Sequence, residues 1–136
     1  MVAGYSKKLL VEKLGIKAGF AVAIIGAPEN YAATLGPLPS GVKQTRKLKD
    51  PLDFLQFFCS KRSRLEDNFP KLKRTLTPSG MLWVSWPKAS SGAPTDLNEN
   101  VVREIGLRNG LVDVKVCAVD ETWSGLKFVF RVKDRG

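Results

Sequence analysis

Residues 20–30 are Phe20-Ala-Val-Ala-Ile-Ile-Gly-Ala-Pro-Glu-Asn30, an apolar run that ends in a turn. Such a run predicts a buried parallel strand that leads into the start of a helix. In nucleotide-binding α/β domains this junction carries a glycine-rich phosphate loop. Here Ala27 and Pro28 follow Gly26, so the G-x-G-x-x-G spacing is missing. The stretch therefore predicts a fold class without predicting a ligand.

The rest of the chain alternates predicted strands and helices. We expect helices at 6–14, 28–35, 63–76 and 96–110, and strands at 20–26, 42–48, 52–59, 81–86, 112–118 and 123–132. This order predicts a three-layer, Rossmann-like α/β sandwich. Its sheet would have about six mostly parallel strands, with a C-terminal antiparallel hairpin. Residues 1–136 would form one domain of this kind.

Local signals refine these elements. Ser63-x-x-Glu66 and Asp96-x-x-Glu99 match capping boxes and predict two helix starts. Pro70 predicts a kink or a late start in the helix at 63–76, because proline has no backbone N–H to donate. The cationic strand at 42–48 is expected at a sheet edge, where it could also pair with a second copy of the chain in a homo-oligomer.

Composition limits the chemistry. Lys and Arg number 22 against 13 Asp and Glu, a net charge of +9 that favours encounter with nucleic acid, anionic lipid or phosphorylated metabolites. The chain has no histidine, which excludes Ser-His-Asp and Cys-His catalysis and histidine-containing zinc sites. We predict no metal site, and we expect Cys59 and Cys117 to be buried free thiols. The N-terminus lacks a signal-peptide run and no segment has membrane-span length, so we expect a cytoplasmic protein and no membrane partner.

A candidate ligand site follows from the fold. In open α/β sheets, ligands bind beyond the carboxyl ends of the parallel strands. Four loops meet there, at 26–31, 59–62, 86–95 and 120–124. They supply anion donors, acids and aromatic surfaces that suit a small polar or phosphorylated ligand: Lys61, Arg62, Lys88, Ser90, Ser91 and Thr95 as donors, Glu29, Asp120 and Glu121 as acids, and Trp86 and Trp123 as stacking surfaces.

Several of these residues have a second interpretation. Lys88 follows Trp86-Pro87, where it could hold a phosphate or act as a base, or be a solvated loop lysine. Glu29 could be a catalytic carboxylate or a favourable partner of its helix dipole. Ser90 and Ser91 could lie in a simple connector, and Trp123 could be a core residue of the hairpin.

Two cationic clusters offer a separate interaction surface. If they share one face of the protein, they could contact several phosphates of a polyanion. A solvated basic face is the alternative. The cluster residues are Lys43, Arg46, Lys47, Lys49, Lys71 and Arg74.

The predicted layout resembles a shortened class I methyltransferase sheet, in which a closing hairpin inserts an antiparallel strand beside the last parallel one. That resemblance implies S-adenosylmethionine, held by a glycine-rich first loop and by an acidic residue that ends the second strand. The corresponding segments here are Gly26-Ala27-Pro28-Glu29 and Arg46-Lys47-Leu48-Lys49. Since neither segment matches, we predict no cofactor.

Motifs along nearly the whole chain are similar to a second family. They are Gly4-Tyr5-Ser6, Leu14-Gly15-Ile16-Lys17-Ala18-Gly19, Leu35-Gly36-Pro37-Leu38-Pro39, Trp86-Pro87-Lys88 and Gly110-Leu-Val-Asp-Val-Lys-Val-Cys-Ala-Val-Asp-Glu-Thr-Trp-Ser-Gly-Leu-Lys127. These segments resemble small bacterial proteins catalogued as domain of unknown function three-zero-five-two, a family that implies no established activity.

Three functional hypotheses follow, in order of preference. The first is a noncatalytic ligand-binding or interaction domain with a methyltransferase-like fold. The second is a polyanion or nucleic-acid binder that uses its basic surface. The third is a small enzyme acting on a phosphorylated metabolite.

Overall fold

A computed structural model describes residues 9–49 and 51–135 of the chain. Within these ranges the main elements are α1 (Leu10–Leu14), β1 (Ala21–Ile25), α2 (Tyr31–Leu35), β2 (Lys43–Thr45), β3 (Leu52–Phe58), α3 (Arg62–Thr75), β4 (Leu76–Pro87), α4 (Glu99–Arg108), β5 (Leu111–Ala118) and β6 (Trp123–Phe130). Short 3-10 turns follow β4 and β6, at Ala89–Ser91 and Val132–Asp134.

The strands form one six-stranded sheet in the order β2-β1-β3-β4-β6-β5. The first four strands in this order pair in parallel, whereas β6 pairs antiparallel with β4 and β5 antiparallel with β6. The predicted fold class is confirmed, including the closing hairpin that places an antiparallel strand beside the last parallel one. The cationic β2 lies at an edge, as expected.

Helices cover both faces of the sheet, because the central strands alternate apolar side chains between two cores. On one face, Leu55 and Phe57 of β3 belong to the same core as Leu65 and Phe69 of α3 and as α4. On the other face, Phe54 and Phe58 of β3 share a core with α1 and α2. Burial on both sides explains why β3 is almost continuously apolar.

Both predicted capping boxes are wrong. Helix α3 begins at Arg62, so Ser63 lies inside it, and the N-cap residue Lys61 makes no side-chain capping bond. The Asp96 carboxylate instead accepts the Arg62 backbone N–H, with Oδ1 at 2.6 Å from the nitrogen. Helix α4 is capped by Asn98, whose side-chain oxygen accepts the Val101 N–H at 2.9 Å. Packing between neighbouring segments thus determines which polar side chain serves each helix end.

Other element boundaries shift by a few residues. Helix α2 begins at Tyr31 rather than at residue 28, because Asn30 has a left-handed backbone (φ 68°) just before it. Helix α3 begins well before Pro70 and contains it, so the predicted late start is wrong. Strand β2 has three residues, β4 begins at Leu76, and β6 ends at Phe130. Of the helix predicted at 6–14, residues 6–8 lie outside the described part.

The two cysteines are free, as predicted. Cys59 is buried, and burial raises the pKa of its thiol to about 12. Cys117 is half-buried, so the prediction of a buried thiol is confirmed for Cys59 and wrong for Cys117. Across residues 9–49 and 51–135, no helix has the length and apolar character needed to span a membrane.

The outer edge of the hairpin is irregular. Strand β5 is the edge strand, and its register with β6 shifts between Asp113 and Lys115. Val114 and Val116 are 54% and 48% exposed on this strand. A register shift of this kind interrupts the regular ladder of an edge strand.

Helix α4 lies directly against β6 at Gly106. A Cβ atom at this position would come within 2.0 Å of the Phe128 ring, which packs edge-to-face on Phe69 with ring centroids 5.7 Å apart. The ring is therefore held between α3 and α4. Glycine is required here for close packing, although it is a poor helix former.

We expect Gly106→Ala to destabilise the fold. Alanine favours a helix by about 1 kcal/mol over glycine, but overpacking against Phe128 should outweigh that gain and lower the free energy of unfolding by about 2 kcal/mol. Urea denaturation measures the change. Leu107→Ala, at the exposed neighbouring position, is the control and should cost much less. A Gly106→Ala variant more stable than the parent would contradict the packing described.

Candidate functional site

A cavity of about 510 Å³ opens beside the carboxyl end of β1, on the side of β2. Its walls come from the turn after β1, from α2 and from the end of β2. The lining residues are Ile24, Gly26, Ala27, Pro28, Glu29, Asn30, Tyr31, Ala32, Leu35, Gly36, Leu38, Gln44 and Arg46. The cavity therefore includes the first of the four predicted site loops, at 26–31, but no residue of the loops at 59–62, 86–95 and 120–124 lines it.

Gly26 shapes the turn at the cavity mouth. Its φ of 75° is in the left-handed region, and a Cβ atom here would lie 2.8 Å from the carbonyl oxygen of Phe58. Both conditions require glycine. Gly26 thus allows the end of β1 to approach the end of β3, a structural role that does not depend on a phosphate.

A buried hydrogen-bond chain lies beneath the cavity. The Tyr31 hydroxyl donates to Gln56 Oε1 at 2.6 Å, and Gln56 Nε2 is 3.1 Å from Ser85 Oγ, to which it donates. Gln56 and Ser85 are completely buried, and Tyr31 is 5% exposed. The chain therefore ties the start of α2 to β3 and β4.

The Tyr31 hydroxyl is fixed in its protonated form. Burial raises the pKa of Tyr31 well above its ordinary value, and the bond to Gln56 only partly opposes this rise. Asp120 and Cys117 raise the pKa further. At neutral pH the hydroxyl is thus a donor occupied by Gln56. Sequence reasoning missed this chain, although a glutamine and a serine in the middle of apolar strands are its signal.

Aromatic rings connect the cavity with the hairpin. Tyr31 packs edge-to-face on Phe58 with centroids 4.9 Å apart, and Phe58 packs in the same way on Trp123 at 5.1 Å. Trp123 is half-buried in this row of rings, as the core interpretation expects. Trp86 is 5% exposed and belongs to the core on the α3 face, so it offers no free face for stacking.

Lys88 joins the end of β4 to the hairpin turn. Its ammonium group donates to the carbonyl oxygen of Asp120 at 2.7 Å, and its backbone N–H donates to that of Thr122, also at 2.7 Å. The Asp120 carboxylate accepts the N–H groups of Thr122 and Trp123 at 2.8 and 2.7 Å. Glu121 is exposed beside it. Lys88 and Asp120 therefore lie close together, but both are engaged in stabilising the hairpin turn.

Two of the other predicted donors, Ser91 and Thr95, also stabilise loops. Ser91 Oγ donates to the Lys88 carbonyl, and Thr95 Oγ1 donates to the Ser60 carbonyl, each at 2.7 Å. Arg62 forms ion pairs with Glu66 at 3.1 Å and with Glu104 at 3.8 Å. Lys61 and Ser90 are exposed.

Two charged residues predicted for different purposes line the cavity together. Glu29 belongs to the predicted ligand site and Arg46 to the predicted polyanion surface, and both line the cavity. Like Arg46, the other residues of the two cationic clusters are exposed, on the β2 segment and on α3: Lys43, Lys47, Lys49, Lys71 and Arg74. Of the six cluster residues, Arg46 is the one that lines the cavity.

Solved structures share this architecture. A SAM-dependent methyltransferase from Aquifex aeolicus is 15% identical, with a TM-score of 0.60 over 87% of this chain and 86% of that one. The protein described here therefore has a Rossmann-like methyltransferase fold. A precorrin-6y C5,15-methyltransferase from Geobacter metallireducens GS-15 is 12% identical, with a TM-score of 0.59 over 94% of each chain. For a ribosomal protein L11 methylase from Lactobacillus delbrueckii subsp. bulgaricus the identity is 15% and the TM-score 0.55, over 90% of this chain and 76% of that one.

At these identities the likeness concerns the fold alone. No protein-family model and no curated protein matches the sequence. Membership of the bacterial family named above therefore stays a prediction.

The cavity residues do not fit S-adenosylmethionine, the cofactor that this fold implies. Gly26 serves strand packing, and Pro28 has no backbone N–H to offer a ligand. Beyond β2, Arg46 lines the cavity where an acidic residue would accept hydrogen bonds from a ribose. A guanidinium group has five donors and no acceptor, and its charge repels a sulfonium cation.

We expect Tyr31→Phe to lower the free energy of unfolding by about 1–3 kcal/mol, because it leaves a buried acceptor on Gln56 without its donor. Chemical denaturation measures the loss. In a Gln56→Leu background the same change should cost at least about 0.5 kcal/mol less, since the partner is already gone. Equal costs in the two backgrounds would show that the hydroxyl and the amide are not coupled.

Proposed function

We propose that this chain is a noncatalytic binding domain whose cavity beside β1 takes a small polar molecule with an anionic group, such as a phosphorylated metabolite. The observation that carries this proposal is Arg46 in the cavity wall. A guanidinium group presents a planar set of donors that matches a phosphate or a carboxylate. In the described part of the chain, the ion pairs come from Arg62, Arg103 and Arg108, so Arg46 is open to a ligand.

The other polar groups of the cavity complement Arg46. Glu29 can accept hydrogen bonds from ligand hydroxyl or amino groups, and the side-chain amides of Asn30 and Gln44 can both donate and accept hydrogen bonds. Ile24, Leu35 and Leu38 add apolar wall area. A cavity of about 510 Å³ falls in the size range of small-molecule sites. An anion with attached hydroxyl groups suits this lining.

The noncatalytic part of the proposal rests on how three of the reactive side chains at this edge of the sheet are used. The Lys88 ammonium is bound to a carbonyl oxygen, the Asp120 carboxylate holds two turn amides, and the Tyr31 hydroxyl is occupied by Gln56. Each of these groups supports the fold at the edge where a general acid or base would have to act. This favours binding over the alternative of an enzyme acting on a phosphorylated metabolite.

Membership of the bacterial family of unknown function and a cytoplasmic location, both expected from the sequence, belong to the same proposal. A small phosphorylated ligand is available in that compartment. Homo-oligomer formation through β2 would place a second copy beside Gln44 and Arg46, close to the cavity wall.

The test is a thermal-unfolding panel with glucose 6-phosphate, adenosine monophosphate and S-adenosylmethionine. At a hundredfold excess over Kd, a ligand that binds only the native state raises the free energy of unfolding by about 2.7 kcal/mol. This increase shifts the midpoint of thermal unfolding by several degrees. We expect a shift with at least one phosphorylated compound and none with S-adenosylmethionine. Arg46→Gln should abolish the shift.

Lys47→Gln is the matched control, because it removes the same charge from the next, exposed residue, which is not part of the cavity wall. It should preserve the shift. Equal losses in both variants would favour a diffuse basic surface. A shift with S-adenosylmethionine that survives Arg46→Gln would overturn the proposal.

A further inference from the structure

Three lysines gather on the α1 side of the hairpin, away from the cavity. They are Lys17, Lys115 and Lys127, called here the lysine cluster. Lys115 of β5 and Lys127 of β6 are directly paired in the sheet register. The Lys115 ammonium reaches the end of α1, where it donates to the Lys13 carbonyl oxygen at 3.1 Å.

The position of α1 creates this cluster. The buried Trp83 indole donates its N–H to the Leu14 carbonyl oxygen at 2.8 Å, which fixes the last turn of α1 over β4. Trp83 is the register partner of Lys127 on β4, so both side chains project from the same face of the sheet. Lys17 follows in the turn after the helix.

The cluster is electrostatically unfavourable. Like charges directly opposite each other on paired strands are destabilising. Lys127 is half-buried, and burial lowers its pKa; the charges of Lys115 and Lys17 lower that pKa further. The protonated form of Lys127 is therefore disfavoured by folding, and this cost is present at neutral pH.

Acidic residues on the surrounding elements are used elsewhere. Glu12 of α1 accepts the Leu9 backbone N–H at 3.3 Å, and Asp113 of β5 pairs with Arg103 of α4 at 2.9 Å on the opposite face. Asp120 holds the hairpin turn. Strand β6 contains no acidic residue. Among the described residues, no carboxylate lies within ion-pair distance of the lysine cluster.

A structural role accounts for only part of the cluster. Lys115 stabilises the negative end of α1 by binding a free carbonyl, as lysines near helix ends commonly do. Lys17 is exposed and well solvated. Neither role explains why the half-buried partner of Lys115 should be another lysine, since an acid or a neutral residue at 127 would remove the repulsion.

We propose that the lysine cluster is a binding site for a ligand with several adjacent phosphate groups. Opposite side chains on paired strands are about 5 Å apart at Cβ, which lets two ammonium groups reach neighbouring phosphates. The phosphates come either from a free polyphosphate or from a nucleic-acid backbone. The site is separate from the cavity and does not depend on the function proposed for it.

Binding of tripolyphosphate and of a single-stranded RNA 12-mer tests the proposal, by calorimetry and fluorescence anisotropy at two salt concentrations. Lys127→Met and Lys115→Met should each weaken binding about tenfold. For the RNA, each removal should reduce the slope of log K against log salt by about 0.7. Lys133→Met, an exposed lysine beyond β6, is the matched charge control and should retain binding.

Binding of either compound with this pattern supports the site, and the compound that binds identifies the phosphate source. Arg46→Gln should leave the binding intact, which separates this site from the cavity. Absence of binding by both compounds, or equal losses in Lys127→Met and Lys133→Met, would overturn the proposal.

Unfolding without ligand gives a second readout. Because Lys127 is repelled by its neighbours, Lys127→Met should raise the midpoint of thermal unfolding by about 2 °C. The same variant should lose the stabilisation by tripolyphosphate or RNA seen in the parent. A variant that gains stability and loses binding is expected of a site whose repulsion an anion relieves. Unchanged stability together with unchanged binding would contradict the site.

Discussion

The hydrogen-bond chain from Tyr31 through Gln56 to Ser85 holds the candidate site together. It links the first residue of α2 to two central strands in an interior where unpaired polar groups are costly. Because α2 forms one wall of the cavity, the cavity depends on these hydrogen bonds for its shape. These hydrogen bonds also occupy the Tyr31 hydroxyl, so the same interaction stiffens this edge and engages that donor.

The sequence was sufficient for the fold because its strongest signals are local and repetitive. The apolar run at 20–26 and the alternation at 112–118 each have one reasonable interpretation as a strand. Gly15 ends α1 with a left-handed backbone (φ 90°), a conformation that glycine adopts without steric cost. Helix starts were harder to predict, because Asp96 and Asn98 both suit a cap and only tertiary packing decides between them.

Site residues were less predictable than elements. Lys88, Asp120 and Thr95 do lie in the expected loops, but their partners are backbone groups of neighbouring loops that periodicity cannot reveal. Arg46 was recognised only as a surface cation, because its place in the cavity depends on how α2 and β2 are arranged around β1. The lysine cluster was missed for a similar reason, since Lys17 and Lys127 are distant in sequence and meet only through the docking of α1.

The register shift in β5 also bears on how the sheet can grow. A regular edge strand with exposed valines would invite strand addition and aggregation. The shift between Asp113 and Lys115 breaks the row of backbone donors and acceptors beside Val114, and Lys115 places a charge there. Extension of the sheet is thereby discouraged at the hairpin, and the opposite edge, formed by the three residues of β2, is too short for a long ladder. Fibrils built from the native edges of this sheet are therefore disfavoured, even in crowded solution.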